Sequence, residues 1–312
     1  MQMHEHVLNF QIENSDAGEV YIDIAKCMSV VNRKLYRQQG LWHVHGVCTY
    51  ADVDAAPPGA GTVGVPYTVA VSGAARNWVT RNALVKAFET WKDQQKQAYD
   101  ASGSSIKPKW QDFKVWLNKN HLDNGDLLPT SGHMFGGADA FNAGEWVHSK
   151  IVYNYSNAAG DVVNSEPELH IIGDDNSSVS KGLILQYQES RAAVQSPDPV
   201  LDSQVNQTIY SLSEGSLGDQ TEAIIGNIRD DNDESPYDQL QYPGNDQNAN
   251  EPVLYAFGAN ASTGKRKLAL NGFAAPNGLL EIQYYKTVDP EVGTPGTGEF
   301  WIQLFVSHRE AY

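Results

Sequence analysis

Apolar side chains alternate with polar ones over much of this chain, and Val, Ile, Leu and aromatic residues fill most of the apolar positions. A period of two puts one set of side chains on one face of an extended strand. It marks Val7–Glu13, Glu19–Val31, Leu41–Val53, Gly64–Val71, Glu145–Tyr155, Glu168–Ile172, Leu183–Val194, Pro252–Phe257, Lys267–Phe273, Leu279–Thr287 and Glu299–Ser307 as about eleven strands. Turn-forming clusters separate them, among them Pro57-Pro58-Gly59-Ala60-Gly61, Gly173-Asp174-Asp175-Asn176 and Gly293-Thr294-Pro295-Gly296-Thr297-Gly298. The chain reads as an antiparallel β-protein and not as a succession of βαβ units.

Helical spacing interrupts this pattern mid-chain. Thr80–Tyr99 gathers Leu84, Ala87, Phe88 and Trp91 on one face, and Trp110, Phe113 and Leu117 repeat the spacing after Pro108. Two amphipathic helices are expected there. A third is expected near Gln220–Arg229, where Ile224, Ile225 and Ile228 fall together ahead of Asp230-Asp231-Asn232-Asp233-Glu234-Ser235-Pro236. The rest of 196–250 has the Pro-, Asn-, Asp-, Gln- and Gly-rich composition of surface loops. The expected fold class is mainly β: a single jelly roll, an antiparallel β-sandwich, forming one domain over 1–312. A helical insertion over about 80–120 and acidic loops over about 196–250 elaborate it. A double jelly roll would need about sixteen strands, more than the pattern supplies.

The 312 residues are 41% hydrophobic and 10% aromatic, ample for a packed core. No apolar run of about 18 residues is present, and Met1-Gln2-Met3-His4-Glu5-His6 lacks the order of a secretory signal. No membrane partner is expected. Cys27 and Cys48 fall in apolar settings that suit buried free thiols, while a disulfide between them stays open.

Charge changes the picture more. The formal net charge is −16, and it is regional: residues 1–150 hold 14 Lys/Arg against 15 Asp/Glu, whereas 151–312 hold 8 against 23. Within 198–251, twelve acids face Arg229 alone. Such a surface repels nucleic acid, so any nucleic-acid contact belongs to the N-terminal half. There, Arg33, Lys34 and Arg37 have no acidic residue between Asp23 and Asp52, with Tyr36 and Trp42 beside them.

Catalytic and metal motifs fit poorly. His43-Val44-His45 would put two imidazoles on one strand face, but Thr49 stands where a metal-binding barrel would place a carboxylate. Gly258-Ala259-Asn260-Ala261-Ser262-Thr263-Gly264-Lys265 imitates a phosphate loop, yet five residues separate its glycines and Arg266 replaces the required Ser or Thr. A hairpin tip fits better. Asp230–Glu234 has acids for calcium but lacks the Gly and the later Glu of a helix-loop-helix site, leaving only a loose divalent cation at a subunit contact. No Gly-x-Ser-x-Gly elbow is present, and His121, His133, His148, His170 and His308 are scattered singly.

The stretch from Val31 to Gln38, then Asn77-Trp78-Val79-Thr80-Arg81-Asn82-Ala83 with Lys86-Ala87-Phe88 and Trp91-Lys92, then Gly144-Glu145-Trp146 with Ser149-Lys150-Ile151-Val152, resembles capsid proteins of small circular single-stranded DNA viruses. Ser235-Pro236-Tyr237-Asp238, Tyr242-Pro243-Gly244 and the stretch from Phe273 to Ile282 fit the same pattern, so the resemblance spans most of the chain. It implies a non-enzymatic virion subunit, without cofactor, that self-assembles into an icosahedral shell around a small genome. Such capsids commonly begin with an Arg-rich arm, whereas residues 1–25 here contain no Lys or Arg.

Packaging charge is then expected on the folded surface. The candidates are Lys26, Arg33, Lys34 and Arg37 beside Tyr36, joined by basic positions among Arg76, Arg81, Lys107 and Lys109. The same cations suit pairing with the acidic loops of a neighbouring subunit, and the sequence leaves both readings open. Two other functions compete. One is a carbohydrate- or receptor-binding β-module with Trp42, Trp78, Trp146 or Tyr237 as stacking platforms; the other is a double jelly-roll capsid subunit of a membrane-containing phage.

Overall fold

The computed structural model describes residues 4–12, 17–38, 40–51, 66–102, 111–131, 140–142, 147–156, 159–173, 175–190, 252–260, 267–286 and 300–308. In chain order it begins with β1 (His4–Ile12), β2 (Ala17–Asp23), α1 (Ile24–Asn32), β3 (Leu41–Ala51), β4 (Tyr67–Gly73) and α2 (Trp78–Ala101). Short elements follow: β5 (Gln111–Asp112), α3 (Lys119–Asn124), β6 (Val147–His148), β7 (Tyr153–Ser156), β8 (Val162–Ser165), β9 (Glu168–His170), β10 (Ser180–Gly182) and α4 (Leu183–Glu189). Four long strands close the series: β11 (Val253–Asn260), β12 (Lys267–Pro276), β13 (Leu279–Lys286) and β14 (Phe300–His308).

The long strands form two four-stranded sheets, ordered β1-β14-β3-β12 and β11-β4-β13-β2, with every pairing antiparallel. Alternation explains why the sheets face each other. Leu8, Phe10 and Ile12 of β1, Trp42 and Val44 of β3, Ile302, Leu304 and Val306 of β14 share one buried cluster with Val69, Val71 and Ile282 of the opposite sheet. The mainly β, antiparallel sandwich expected from the sequence is therefore present.

Three expected elements are corrected. The strand through Val31 ends at Asp23, where α1 begins. Apolar residues from Ile24 to Val31 satisfy both a strand and a helix period, and the cap decides: the Asp23 side chain accepts from the Lys26 amide at 3.0 Å. The helix ends at Arg33, whose φ of 52° is left-handed. The strand expected over Leu183–Val194 is α4 as far as Glu189. The helix expected around Phe113 is extended chain: Phe113, Val115 and Leu117 are buried alternately, and Trp116 donates to the Leu169 carbonyl at 2.7 Å.

The helix in α2 is present, two residues earlier than expected. Asn77 caps it by accepting from the Thr80 amide at 2.8 Å. Its apolar face joins a second core, where Val79, Ala83 and Trp91 pack with Phe113, Val115, Leu117, Ile171 and Ile184 against Tyr21 and Leu279 of the second sheet. The insertion is thus a layer on that sheet, containing extended segments as well as helices. The turn Pro276-Asn277-Gly278-Leu279 carries positive φ at Asn277 (57°) and Gly278 (70°), as a two-residue Asn-Gly turn requires. It anchors the start of α1, because the Ile24 amide donates to Gly278 O at 2.9 Å. The helix expected over 220–229 and the acidic loops over 196–250 lie outside the described residues.

Candidate functional site

Two polar features meet at Gln38: a buried charge cluster between α1 and the segment 111–126, and a larger cleft along the start of α2. Gln38 itself is buried and acts as a clamp. Its amide nitrogen donates to Asp23 Oδ2 at 2.8 Å and to Val115 O at 2.9 Å, while its oxygen accepts from the Val115 amide at 2.8 Å. One side chain thereby fixes the extended segment against the N-terminus of α1.

Asp126 is the centre of the cluster. Lys26 Nζ donates to it at 2.6 Å, Lys114 Nζ at 2.8 Å and His121 Nε2 at 2.7 Å. The Leu117 amide donates to His121 Nδ1 at 3.1 Å, so the ring's proton sits on Nε2, facing Asp126. Tyr21 stacks on the ring with centroids 4.8 Å apart, and Trp116 meets it edge-on at 5.0 Å. Burial works against the charge of Asp126, but the His121 hydrogen bond and the charges of Lys114 and Lys26 outweigh it and hold the carboxyl well below its ordinary value. Asp23 shifts the other way, raised by burial although Lys114 lies 3.8 Å off.

Two carboxyls at the rim diverge in the same manner. Asp112 is pushed up to about 6 by burial and by the charge of Asp23, against the pull of Arg37. For Glu168 burial is outweighed by hydrogen bonds from His148 at 3.2 Å, Lys150 at 2.7 Å and Trp116 at 3.1 Å, and its value falls to about 2. A cavity of about 220 Å³ opens among Asp23, Lys26, Tyr36, Asp112, Lys114 and His148. Perturbed carboxyls at a cavity mark catalytic sites and structural ion networks alike. Here both oxygens of Asp126 are engaged by the chain's own donors, the arrangement of a structural joint.

The sequence-derived cations separate into groups. Lys26 points into the cluster and pairs with Asp126, and Arg37 Nε lies 3.7 Å from Asp112. Their partners are acids of 111–126. Arg33 and Lys34 are exposed just past α1, with Lys34 Nζ 5.3 Å from the centre of the Tyr36 ring. Arg76 and Arg81 lie apart from these, exposed at the start of α2, and neither forms an ion pair among the described residues. They flank a cleft of about 740 Å³ bounded by α2, Leu41 and the Pro276-Asn277 turn. Lys107 and Lys109 lie outside the described residues.

Trp42 is corrected as a stacking platform: it is fully buried in the sandwich core. Trp78 is half-buried and packs edge-on to Tyr187, with centroids 6.5 Å apart. Trp146 and Tyr237 lie outside the described residues. His45 bonds Ser307 Oγ at 2.7 Å, and Cys27 and Cys48 are both buried and free. Among the described residues no three His, Cys, Asp or Glu side chains are placed to hold a metal ion.

Sequence reasoning found Lys26 and Arg37 but not Gln38, Asp112, Lys114, His121 or Asp126, which complete their surroundings. The one local signal was the cap at Asp23 ahead of an apolar run. No family model, no curated protein and no solved structure matches this chain.

Proposed function

We propose that this protein is a capsid subunit: a jelly roll without enzymatic activity that assembles with copies of itself into an icosahedral virion shell around a single-stranded DNA genome. The observation that carries this reading is strand order. With the eight long strands counted 1 to 8 along the chain, the sheets run 1-8-3-6 and 5-4-7-2. This interleaving of early and late strands is the order expected of a double Greek key, and it supports reading the sandwich as a jelly roll, a fold used by shell-forming subunits. The described residues contain one such sandwich, which favours the single barrel over the double one. No helix among them is long and apolar enough to cross a membrane.

The charge cluster supports a building role, since its carboxylates meet donors of their own chain. It also narrows the packaging candidates. Lys26 is held by Asp126 and Arg37 lies beside Asp112, so Arg76 and Arg81, exposed without an ion pair among the described residues, lead the candidates for contact with a genome or a neighbouring subunit, with Arg33 and Lys34 exposed past α1 as a second pair. Electron microscopy with sizing of the purified chain is the test. Closed particles are expected, and a monomer at every salt concentration and pH overturns the reading. Arg33→Glu with Lys34→Glu then separates the two roles: intact but empty shells indicate packaging, and loss of assembly in nucleic-acid-free buffer indicates a subunit joint.

A further inference from the structure

We propose that the cleft along the first turns of α2 is a binding site for a nucleoside monophosphate unit, free or within a single strand. The phosphate sits at Arg76, Thr80 and Arg81, and the base lies over the apolar stretch of Leu84 and Phe88. For a strand ligand this deepens the packaging role proposed above; for a free nucleotide it stands independently of assembly.

Several observations converge. The N-cap Asn77 and, within α2, Thr80 with its neighbour Arg81, Leu84 and Phe88 fall on one face, 77-81-84-88 and 77-80-84-88 both advancing by three or four, and all line the cleft. That face therefore grades from polar and cationic at the first turn to apolar two turns later. The first turn of this 24-residue helix carries the positive end of its dipole, and Arg76 and Arg81 add two planar guanidinium groups, the pairing suited to a phosphate. Among the described residues Glu89 is the one acid on the cleft wall, and it stands about 12 Å from Arg81 along the helix axis.

Thr80 supplies the independent sign of a ligand. Only 2% of it is exposed, yet its hydroxyl has no hydrogen-bond partner among the described residues, while its amide is already used by Asn77. A buried hydroxyl left so is a group the fold alone does not satisfy. The volume of about 740 Å³ falls within the range of small-molecule sites. Half-buried Trp78 and Phe88 offer aromatic surface, and Asn82 and Asn277 put amides on the rim, which suits the polar edge of a base and disfavours a hydrocarbon tail.

The full chain is titrated by calorimetry with thymidine monophosphate, thymidine, inorganic phosphate and a short oligothymidylate. The monophosphate is expected to bind, thymidine at least about tenfold more weakly, and added salt to weaken the phosphate-bearing probes but not thymidine. Arg76→Ala with Arg81→Ala is expected to lower affinity about tenfold or more without changing Tm. Thr80→Val is expected to lower it severalfold while Tm stays equal or rises, which a merely structural Thr80 would not do. Binding of oligothymidylate without the monophosphate assigns the site to a strand. Inorganic phosphate binding as tightly as the nucleotide, thymidine binding equally well, no saturable binding by any phosphate-bearing probe, or insensitivity to the double arginine change each overturns the proposal, whatever particles the protein forms.

Discussion

Lys26, Lys114 and Arg37 on one side of Gln38, and Arg76 with Arg81 on the other, are cations of the same chain put to opposite uses. The first group lies against carboxylates, Lys26 and Lys114 both within 2.8 Å of Asp126. The second forms no ion pair among the described residues. A cation-rich stretch of sequence therefore does not announce a binding surface; the fold first assigns partners to some of its charges. Burial of a charge is costly unless donors and acceptors match, so the engaged group is tied to one arrangement of α1 against 111–126. The exposed group contributes little to that arrangement and stays available to another molecule.

This contrast can be broken most severely at Asp126. Asp126→Ala strands Lys26 and Lys114 beside a buried void, and unfolding in urea should show a loss of about 3–5 kcal/mol. A loss under 1 kcal/mol would mean that water solvates the cluster, erasing the distinction from Arg76 and Arg81.

Asp112→Asn should act in the opposite direction. Its folded value of about 6 exceeds the ordinary 3.8, so the folded chain holds the proton more tightly than the unfolded one. The stabilising contribution is full below 3.8 and declines as pH rises through 6. An isosteric amide removes the charge, and stability at pH 7 should rise by about 1–3 kcal/mol. A fall instead would make the ion pair with Arg37 the dominant interaction.

Glu168 has the reverse sign and a smaller effect. Its value of about 2 lies below the ordinary 4.5, so its contribution is full above 4.5 and disappears as pH falls toward 2. Thermal melts of Glu168→Gln between pH 2 and 5 should be flatter than those of the parent chain. Parallel pH curves would remove Glu168 from the network. Smallest of all, Arg76→Ala with Arg81→Ala should leave the urea midpoint within about 0.5 kcal/mol of the parent. A larger change would show these arginines to be structural after all.

The sandwich was legible because buried β-strands on two facing sheets enforce a period of two, as in β1, β4 and β14. The helix α2 was legible through Leu84, Phe88 and Trp91. What escaped were segments whose apolar residues satisfy two periods at once. Ile24–Val31 fits a strand or a helix until Asp23 is recognised as a cap, and Phe113 to Leu117 fits a helix through its ends and a strand through Val115. The site was half legible for a different reason. Arg37 and Asp112 are far apart in sequence, as are Lys26 and Asp126, and no spacing rule links them; only the packing of 111–126 against α1 brings them together.

The sheet order has a further implication for how the molecule comes into being. β1 and β3 are not neighbours, because β14 lies between them, and β2 and β4 are separated by β13. A nascent chain that ends before Leu279 therefore holds four long N-terminal strands, none of which pairs with another. Each sheet keeps an open slot until its keystone, β14 in one and β13 in the other, has been made, and strand edges stay unprotected meanwhile. β13 and β14, made after the strands they separate, are the ones that join those earlier strands into sheets.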